Sequence, residues 1–397
     1  MNQKYYNCAG NSHLRVMLRK LLRTFYHRSK TEESKKRYSF LQNFDPKHKI
    51  SQKINKKKSY TIAFLLPGLP AYSGGITGIF RLGTYLSDFG HTVTYIDCSN
   101  SPVAESKNNA RINFESYKGN IVTLDSIQEV FDIGICTLWD TAYILKQYDQ
   151  TFGYKMYFIQ DFEPSFYSLG DLYFLCRRTY EFGFHMISLG AWNAQKIRDN
   201  FANVTVDTIE FPIETKVYEV ANREIKIDKK LDLAIFIKLE PKRAPDLIPQ
   251  CLILLNKEMQ KRGIDLNCWI FGTDISLGMP FVKSVGMLKH DKLQELYRKC
   301  QIGIVASYTN ISYVTFEMMA SGLPVIEFKD GSAPSFFKSE ELILVDTSPQ
   351  DFCAQINYYI DHQDLLNKVV QNGQQAIQNR TWEASAKVFN AVIDSLK

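Results

Sequence analysis

Between Lys299 and Glu327 the chain carries residues that could hold an anion and a sugar side by side. Ile302 to Ala306 is a short apolar run, and the polar turn Ser307-Tyr308-Thr309-Asn310 follows it. Helical spacing then extends from about Ser312 to Ala320, Ser321-Gly322 stops it, and Leu323 to Ile326 is a second apolar run. The unit reads as β–loop–α–β. First-turn amides of such a helix are unbonded and add to its dipole, which makes the stretch after Asn310 a candidate anion site. Glu317, in the second turn, accepts hydrogen bonds and repels anions, so it suits a sugar hydroxyl better than a phosphate. The plain alternative is a switch-point helix with a surface glutamate. A second candidate is the loop Ala71 to Gly78, between the strand Tyr60 to Leu66 and the helix Ile79 to Phe89. Without Cβ atoms, Gly74 and Gly75 let the backbone approach a ligand closely. A dinucleotide fold would use Asp97 on a ribose, but G-x-G-x-x-G needs glycine at 73, where Ser73 stands. The third candidate is Gln160 to Tyr167 after the strand Lys155 to Ile159. Polar residues at the carboxyl end of a parallel strand are where α/β sheets place ligands, although Asp161 could equally cap the next helix.

The string Phe316-Glu317-Met318-Met319-Ala320-Ser321-Gly322-Leu323-Pro324-Val325 resembles the nucleotide-sugar signature of family-4 glycosyltransferases with the GT-B fold. In that family a glutamate eight residues earlier completes E-x7-E, and here Thr309 occupies its place. The departure is similar to the WsaF-type rhamnosyltransferases of surface-glycan assembly, as is Gln160-Asp161-Phe162-Glu163-Pro164 with its following Phe-Tyr. Ile237 to Ala244 lines up with the family pattern G-R-L-x-P-x-K-G, Lys238 replacing the arginine and Arg243 the lysine. The resemblance implies that these two cations clamp a donor diphosphate and stabilise it as it leaves, with no metal required. A solvated basic turn is the alternative. By the same resemblance, Thr309 and Asn310 belong to the donor loop and Gly272 faces the cleft at a strand end. Met287 and Leu288 would lie beside the nucleobase, and Asp161 with Glu163 would hold or deprotonate the acceptor hydroxyl. The implied reaction is retaining transfer of a sugar, dTDP-L-rhamnose being the favoured donor, to a growing cell-surface glycan that could be lipid-linked. No cofactor beyond the donor is expected. A UDP-hexose donor is the alternative within enzymes, and a catalytically silent GT-B partner subunit is the alternative outside them.

The elements that must position these residues alternate strand and helix along most of the chain. The expected fold class is α/β, with two Rossmann-like doubly wound domains facing a cleft and a basic helical extension in front. The bounds read as extension and linker 1–59, acceptor domain 60–220, nucleotide-sugar domain 221–380 and a returning helix 381–397. Eight cysteines are scattered with no C-x-x-C pair, which argues for a reducing compartment and against a disulfide framework or a zinc site. No apolar run reaches the length needed to span a bilayer, and no signal peptide is visible. Residues 1–60 hold 16 Lys or Arg against three acids, which leaves 32 against 39 in the remainder. The basicity is therefore local. Leu14, Met17, Leu18, Leu21, Leu22 and Phe25 recur at helical spacing among Arg15, Arg19, Lys20, Arg23 and Arg28. Residues 13–28 thus read as a helix that binds an anionic membrane surface, although a docked helix or a tail fits the same pattern. A cytoplasmic protein, peripheral on the inner face of the plasma membrane, is expected. Nucleic-acid binding is not, because no folded domain interleaves basic and aromatic residues. Lys47 to Lys58 reads as a linker, and His185 as structural.

Overall fold

The computed structural model describes residues 31, 32, 34, 35, 38–99, 101–218 and 223–396. The expected membrane-binding helix at 13–28 lies outside the described residues. The chain divides into two units, Met1–Lys49 and Ile50–Lys397. In the first, Ser39–Leu41 forms a 3-10 turn, and Lys35 pairs with Glu32 at 2.8 Å.

The second unit contains two parallel sheets. Its first half runs β1 (Thr61–Leu66), α1 (Gly74–Asp88), β2 (Thr92–Asp97), α2 (Val103–Asn113), β3 (Asn120–Thr123) and β4 (Phe131–Cys136). It continues with α3 (Trp139–Gln147), β5 (Phe152–Ile159), α4 (Asp171–Thr179), β6 (His185–Leu189), α5 (Ala191–Asn200) and β7 (Val206–Ile209). The strand order is β3-β2-β1-β4-β5-β6-β7. The second half runs β8 (Lys230–Phe236), α6 (Leu247–Lys261), β9 (Asp265–Phe271), β10 (Val282–Gly286), α7 (His290–Lys299) and β11 (Ile302–Ile304). It ends with α8 (Tyr313–Ala320), β12 (Val325–Phe328), β13 (Ile343–Val345), α9 (Pro349–Asp361), α10 (Gln363–Ile377) and α11 (Trp382–Ser395). Its order is β10-β9-β8-β11-β12-β13. All described strand pairs are parallel.

Central strands such as Ile62–Leu66 and Leu231–Phe236 are buried, because helices cover both faces of a doubly wound sheet. The order reverses between β1 and β4, and again between β8 and β11. These reversals are the switch points where loops diverge and leave a crevice beyond the strand ends. The loops after β1, β5, β8 and β11 carry most of the candidate residues of the sequence; Gly272 follows β9, Met287 and Leu288 follow β10, and Glu317 lies in α8.

Between the sheets the chain crosses twice, and the crossings are tied together. The Ile213 amide donates to the Arg380 carbonyl at 2.7 Å, and Arg380 Nη1 bridges Glu210 Oε2 at 2.6 Å. Beside them Phe211 stacks on Phe316 at 5.3 Å and meets Tyr313 at 5.1 Å and Phe336 at 5.6 Å. Helix α11 packs against α1 and β7 of the first sheet, and its first residue, Trp382, stacks on Tyr313 of α8.

The Lys-rich linker reading needs correction over part of its length. The amides of Ser51 and Lys53 donate to Asp149 Oδ1 and the Gly153 carbonyl, each at 3.0 Å, and the Lys155 amide donates to Gln52 Oε1 at 2.7 Å. Lys57 pairs with Asp132 at 2.6 Å. Composition suggests solvated chain here, but the backbone finds partners at the start of β5 and the Lys57 side chain finds one at the start of β4. The buried Lys155–Asp149 pair, 2.6 Å apart, anchors it.

Candidate active site

The loop between β11 and α8 is built around Ser307. Its Oγ donates to Glu327 Oε1 at 2.8 Å and accepts from Arg243 Nη1 at 3.2 Å and from the Ser312 amide at 3.3 Å. Thr315 Oγ1, in the first turn of α8, donates to the same Glu327 oxygen at 2.6 Å. Ser312 caps the helix by accepting from the Val314 amide at 3.3 Å. Glu327 was not singled out in the sequence, although a charge inside the apolar run Val325–Phe328 is an available signal. It is fully buried, its Oε2 has no partner among the described residues, and burial pushes its carboxyl up to about 7.

Arg243 ends the 3-10 turn Pro241–Arg243, with Pro241 at the start of the turn and Ala244 in the left-handed region at its end. Besides Ser307, its Nη1 donates to the Ala306 carbonyl at 2.9 Å. These bonds fix the plane of the guanidinium at the tip of β11, and a fixed donor fork suits phosphate oxygens. Burial lowers the Arg243 pKa, while Asp161, Glu327 and Glu240 act to raise it. Lys238 follows β8 and is half-buried, and among the described residues no carboxylate pairs with it.

Glu317 lies where the sequence places it, one turn into α8 and half-buried. The Tyr297 hydroxyl donates to its Oε2 at 3.4 Å, and the Tyr218 hydroxyl sits 2.5 Å from His290 Nδ1 nearby. Burial pushes the Glu317 carboxyl up to about 7, against the opposing effect of the Tyr297 and Tyr218 hydroxyls and of Arg81. The tyrosines were not foreseen, because they come from α7 and from the crossover.

The first half contributes the head of α1, capped by Ser73. Among the described residues a Cβ at Gly74 would meet nothing within 4 Å, and one at Gly75 would rest 3.4 Å from the Gln160 amide. A Cβ at Gly78 would come within 3.3 Å of both Trp382 and the Tyr313 hydroxyl, so α1 approaches α8 closely there. Of the two glycines named from the sequence, Gly74 is thus open and Gly75 faces Gln160. In the other half Gly272 has φ 92°, and a side chain there would collide with Phe236, so a turn requirement accounts for this glycine. Met287 is 62 % exposed, whereas Leu288 packs on the core.

Asp161 and Glu163 depart from the acceptor-binding expectation. Glu163 is buried inside the first domain, where Oε2 accepts from the Trp139 amide and the Tyr157 hydroxyl, both at 2.7 Å. Burial holds its pKa well above the usual carboxylate range. It is a structural acid beneath the loop and does not reach toward an acceptor. Asp161 reaches across to the second domain. Its Oδ1 accepts from the amides of Phe162 (2.8 Å) and Asn310 (2.9 Å), and its Oδ2 from Thr309 Oγ1 (2.8 Å) and Lys242 Nζ (3.1 Å). A carboxylate offers about four lone-pair sites, and these four donors fill them. In this arrangement Asp161 has no free site for an acceptor hydroxyl. The amide of Asn310, assigned with Thr309 to the donor loop, is likewise spent on Asp161, and both residues are buried. Lys242, the cation that does reach across, was passed over in favour of its neighbour Arg243.

Two stretches match known family models. Residues 250–389 match the "Glycosyl transferase-like" model, and residues 117–191 match "WsaF, N-terminal domain". Over 271 residues the chain is 23 % identical to the O-antigen biosynthesis protein RfbC of Myxococcus xanthus, covering 64 % of this chain. The chain spans about a fifth of that relative, 20 % of its length. Among solved structures, HepE of Anabaena in complex with UDP-glucose superposes with a TM-score of 0.66 at 13 % identity, over 85 % of this chain and all of that one. Sucrose-phosphate synthase of Thermosynechococcus elongatus gives 0.64 at 14 % identity, over 86 % of this chain and 99 % of the other. The superpositions show the GT-B fold of the glycosyltransferase class, and residues 250–389 match a family model of that class. Within that class the chain resembles WsaF-type enzymes, the likeness lying in its first domain. Among the described residues no helix is long and apolar enough to cross a membrane.

Proposed function

We propose that the chain transfers a sugar, L-rhamnose from dTDP-L-rhamnose in the first instance, onto a growing cell-surface polysaccharide with retention of configuration. The observation that carries this reading is the shared mounting of Arg243 and α8 on Ser307, with Glu317 one turn along the same helix. A fixed cation, a helix head and a carboxylate then follow one another, as the phosphates and the nucleoside of a donor would require. Arg243 and Lys238 hold the diphosphate, Glu317 accepts from a nucleoside hydroxyl, and Gly74 leaves room for the donor. With Asp161 saturated and Glu163 enclosed, neither carboxylate serves as base. The leaving phosphate oxygen instead takes the proton of the acceptor hydroxyl. The bond from the sugar to the phosphate breaks as the bond to the acceptor oxygen forms on the same face. Polysaccharide synthesis draws support from the O-antigen biosynthesis relative and the WsaF match.

The UDP-glucose in HepE favours a UDP-hexose as the second reading. A thermal-shift panel of dTDP, UDP, GDP and NAD separates the readings. The preferred base raises the melting temperature most, since a ligand at 100 times its Kd stabilises by about 2.7 kcal/mol. Release of dTDP from dTDP-L-rhamnose with an acceptor present then tests the donor. If UDP alone stabilises the chain and UDP-hexose alone turns over, the rhamnosyl reading is wrong. The basic stretch at 13–28 would hold the enzyme at an anionic leaflet near a lipid-linked acceptor. Salt-sensitive sedimentation of the full chain with phosphatidylglycerol vesicles, and none with phosphatidylcholine, is the expected result.

A further inference from the structure

The contacts of Asp161 assign it a role that no sequence motif contains. We propose that Asp161 is a positioning residue. It is a carboxylate lent by the first domain to the donor loop of the second, and it clasps the two halves together where the donor lies. The inference rests on the donor-site reading of the cleft.

Three of the four donors on this carboxylate, Lys242 Nζ, Thr309 Oγ1 and the Asn310 amide, come from the second domain. The contact therefore spans about 150 positions of sequence, and it occurs at Thr309, where the signature lacks its glutamate. The neighbouring groups reinforce it. Lys242 also lies 3.9 Å from the centroid of the Phe166 ring, so both partners of its ammonium belong to the first domain. Asn310 Nδ2 donates to the Gln160 and Leu189 carbonyls, each at 2.7 Å, and these are residues at the ends of β5 and β6. The pinned residues adjoin the ones that would hold the diphosphate. Lys242 and Arg243 share one 3-10 turn, and Asn310 stands two residues before the cap of α8. Seating Asp161 thus holds the Arg243 turn and the head of α8 to the first domain, on whose α1 helix Gly78 closely approaches Tyr313. A saturated carboxylate does this without moving a proton.

Steady-state kinetics of Asp161→Ala, Lys242→Ala and the double variant test the clasp. Asp161→Ala should lower kcat/KM for the donor about 100-fold, since misplacement of a site by an ångström can cost that much. Lys242→Ala should lose less, and the double variant should be no worse than Asp161→Ala, because the two act through one contact. The shape of the kcat–pH profile should not change. Added formate, a free carboxylate that can neutralise Lys242 or act as base but joins nothing, should restore no activity. Recovery with formate would make Asp161 a base, and losses that multiply in the double variant would make the two residues independent. Either outcome overturns the clasp, as does parental kcat/KM in Asp161→Ala. Thermal melts establish that the variants fold. If Asp161→Ala does not fold, Lys242→Ala decides, and parental kinetics in it overturn the proposal. Failure of the parent to bind any nucleoside diphosphate sinks the donor-site reading itself. Binding and turnover in the parent, with an unaffected Asp161→Ala, sink only the clasp.

Discussion

Replacing Arg243 by alanine is expected to lower kcat/KM about 10²- to 10³-fold while the protein stays folded. Removing one preorganised donor to a developing anion typically costs about 2.7–4 kcal/mol of transition-state stabilisation. The guanidinium is preorganised here, because Nη1 is already bonded to the Ala306 carbonyl and Ser307 Oγ, so little ordering is left for the moment of reaction. Its loss frees those two acceptors, and a modest fall in melting temperature should accompany the loss of activity. Arg243→Lys should recover only part, since a point charge cannot hold Ala306, Ser307 and a phosphate in one plane. Donor turnover and thermal melts of both variants are the measurement. Unchanged turnover in Arg243→Ala would remove the diphosphate clamp from the mechanism.

Glu317→Gln should trade binding for stability, and the sign of the trade depends on pH. Burial lifts the Glu317 carboxyl from an ordinary 4.5 to about 7. Between those two values the folded chain keeps a proton that the unfolded chain has released. The contribution of this group to stability therefore falls as pH rises from about 4.5 to 7 and is level above that range. Glutamine carries no charge to desolvate, so the variant should melt above the parent at pH 8, and the gain should fade toward pH 5. Glu327 titrates in the same range, and subtracting the parental profile isolates Glu317. The donor KM should rise about 10- to 100-fold, because a hydrogen bond to a charged group is worth roughly 1.5–3 kcal/mol. A gain in melting temperature with an unaltered KM would leave Glu317 as a buried strain and nothing more.

The unit around Glu317 was legible because its signals are local. A helix start at about Ser312, its run to Ala320 and the stop at Ser321-Gly322 all agree with α8 at Tyr313–Ala320, where Ser312 proves to be the cap. The flanking strand ends shift by one or two residues, as hydrogen-bonded ends do. Helices α2, α3 and α4 gave no comparable signal, since α2 is mostly polar and the apolar residues of α3 and α4 are bunched at Ala142–Leu145 and Leu172–Cys176 without helical spacing. The meaning of individual acids was least legible. Asp161 and Glu163 are two residues apart on one turn, yet one is bonded across the cleft and the other is enclosed under Trp139 and Tyr157. Which way each points depends on partners from 6 to about 150 positions away, and no spacing rule carries that information. Lys242 and Arg243 pose the same problem in reverse, two adjacent cations distinguished only by which domain each one meets.

The tie between Glu210, Ile213 and Arg380 has a mechanical consequence. Two tethers fastened to each other act as one pivot, so the halves can swing like a clamshell but cannot slide past one another. Travel then grows with the length of the lever arm, and tips distant from the pivot sweep furthest while Phe211 hardly stirs. Loosening the knot, for instance with Arg380→Ala, should therefore change how fast the jaws open and product escapes more than how tightly a donor is gripped.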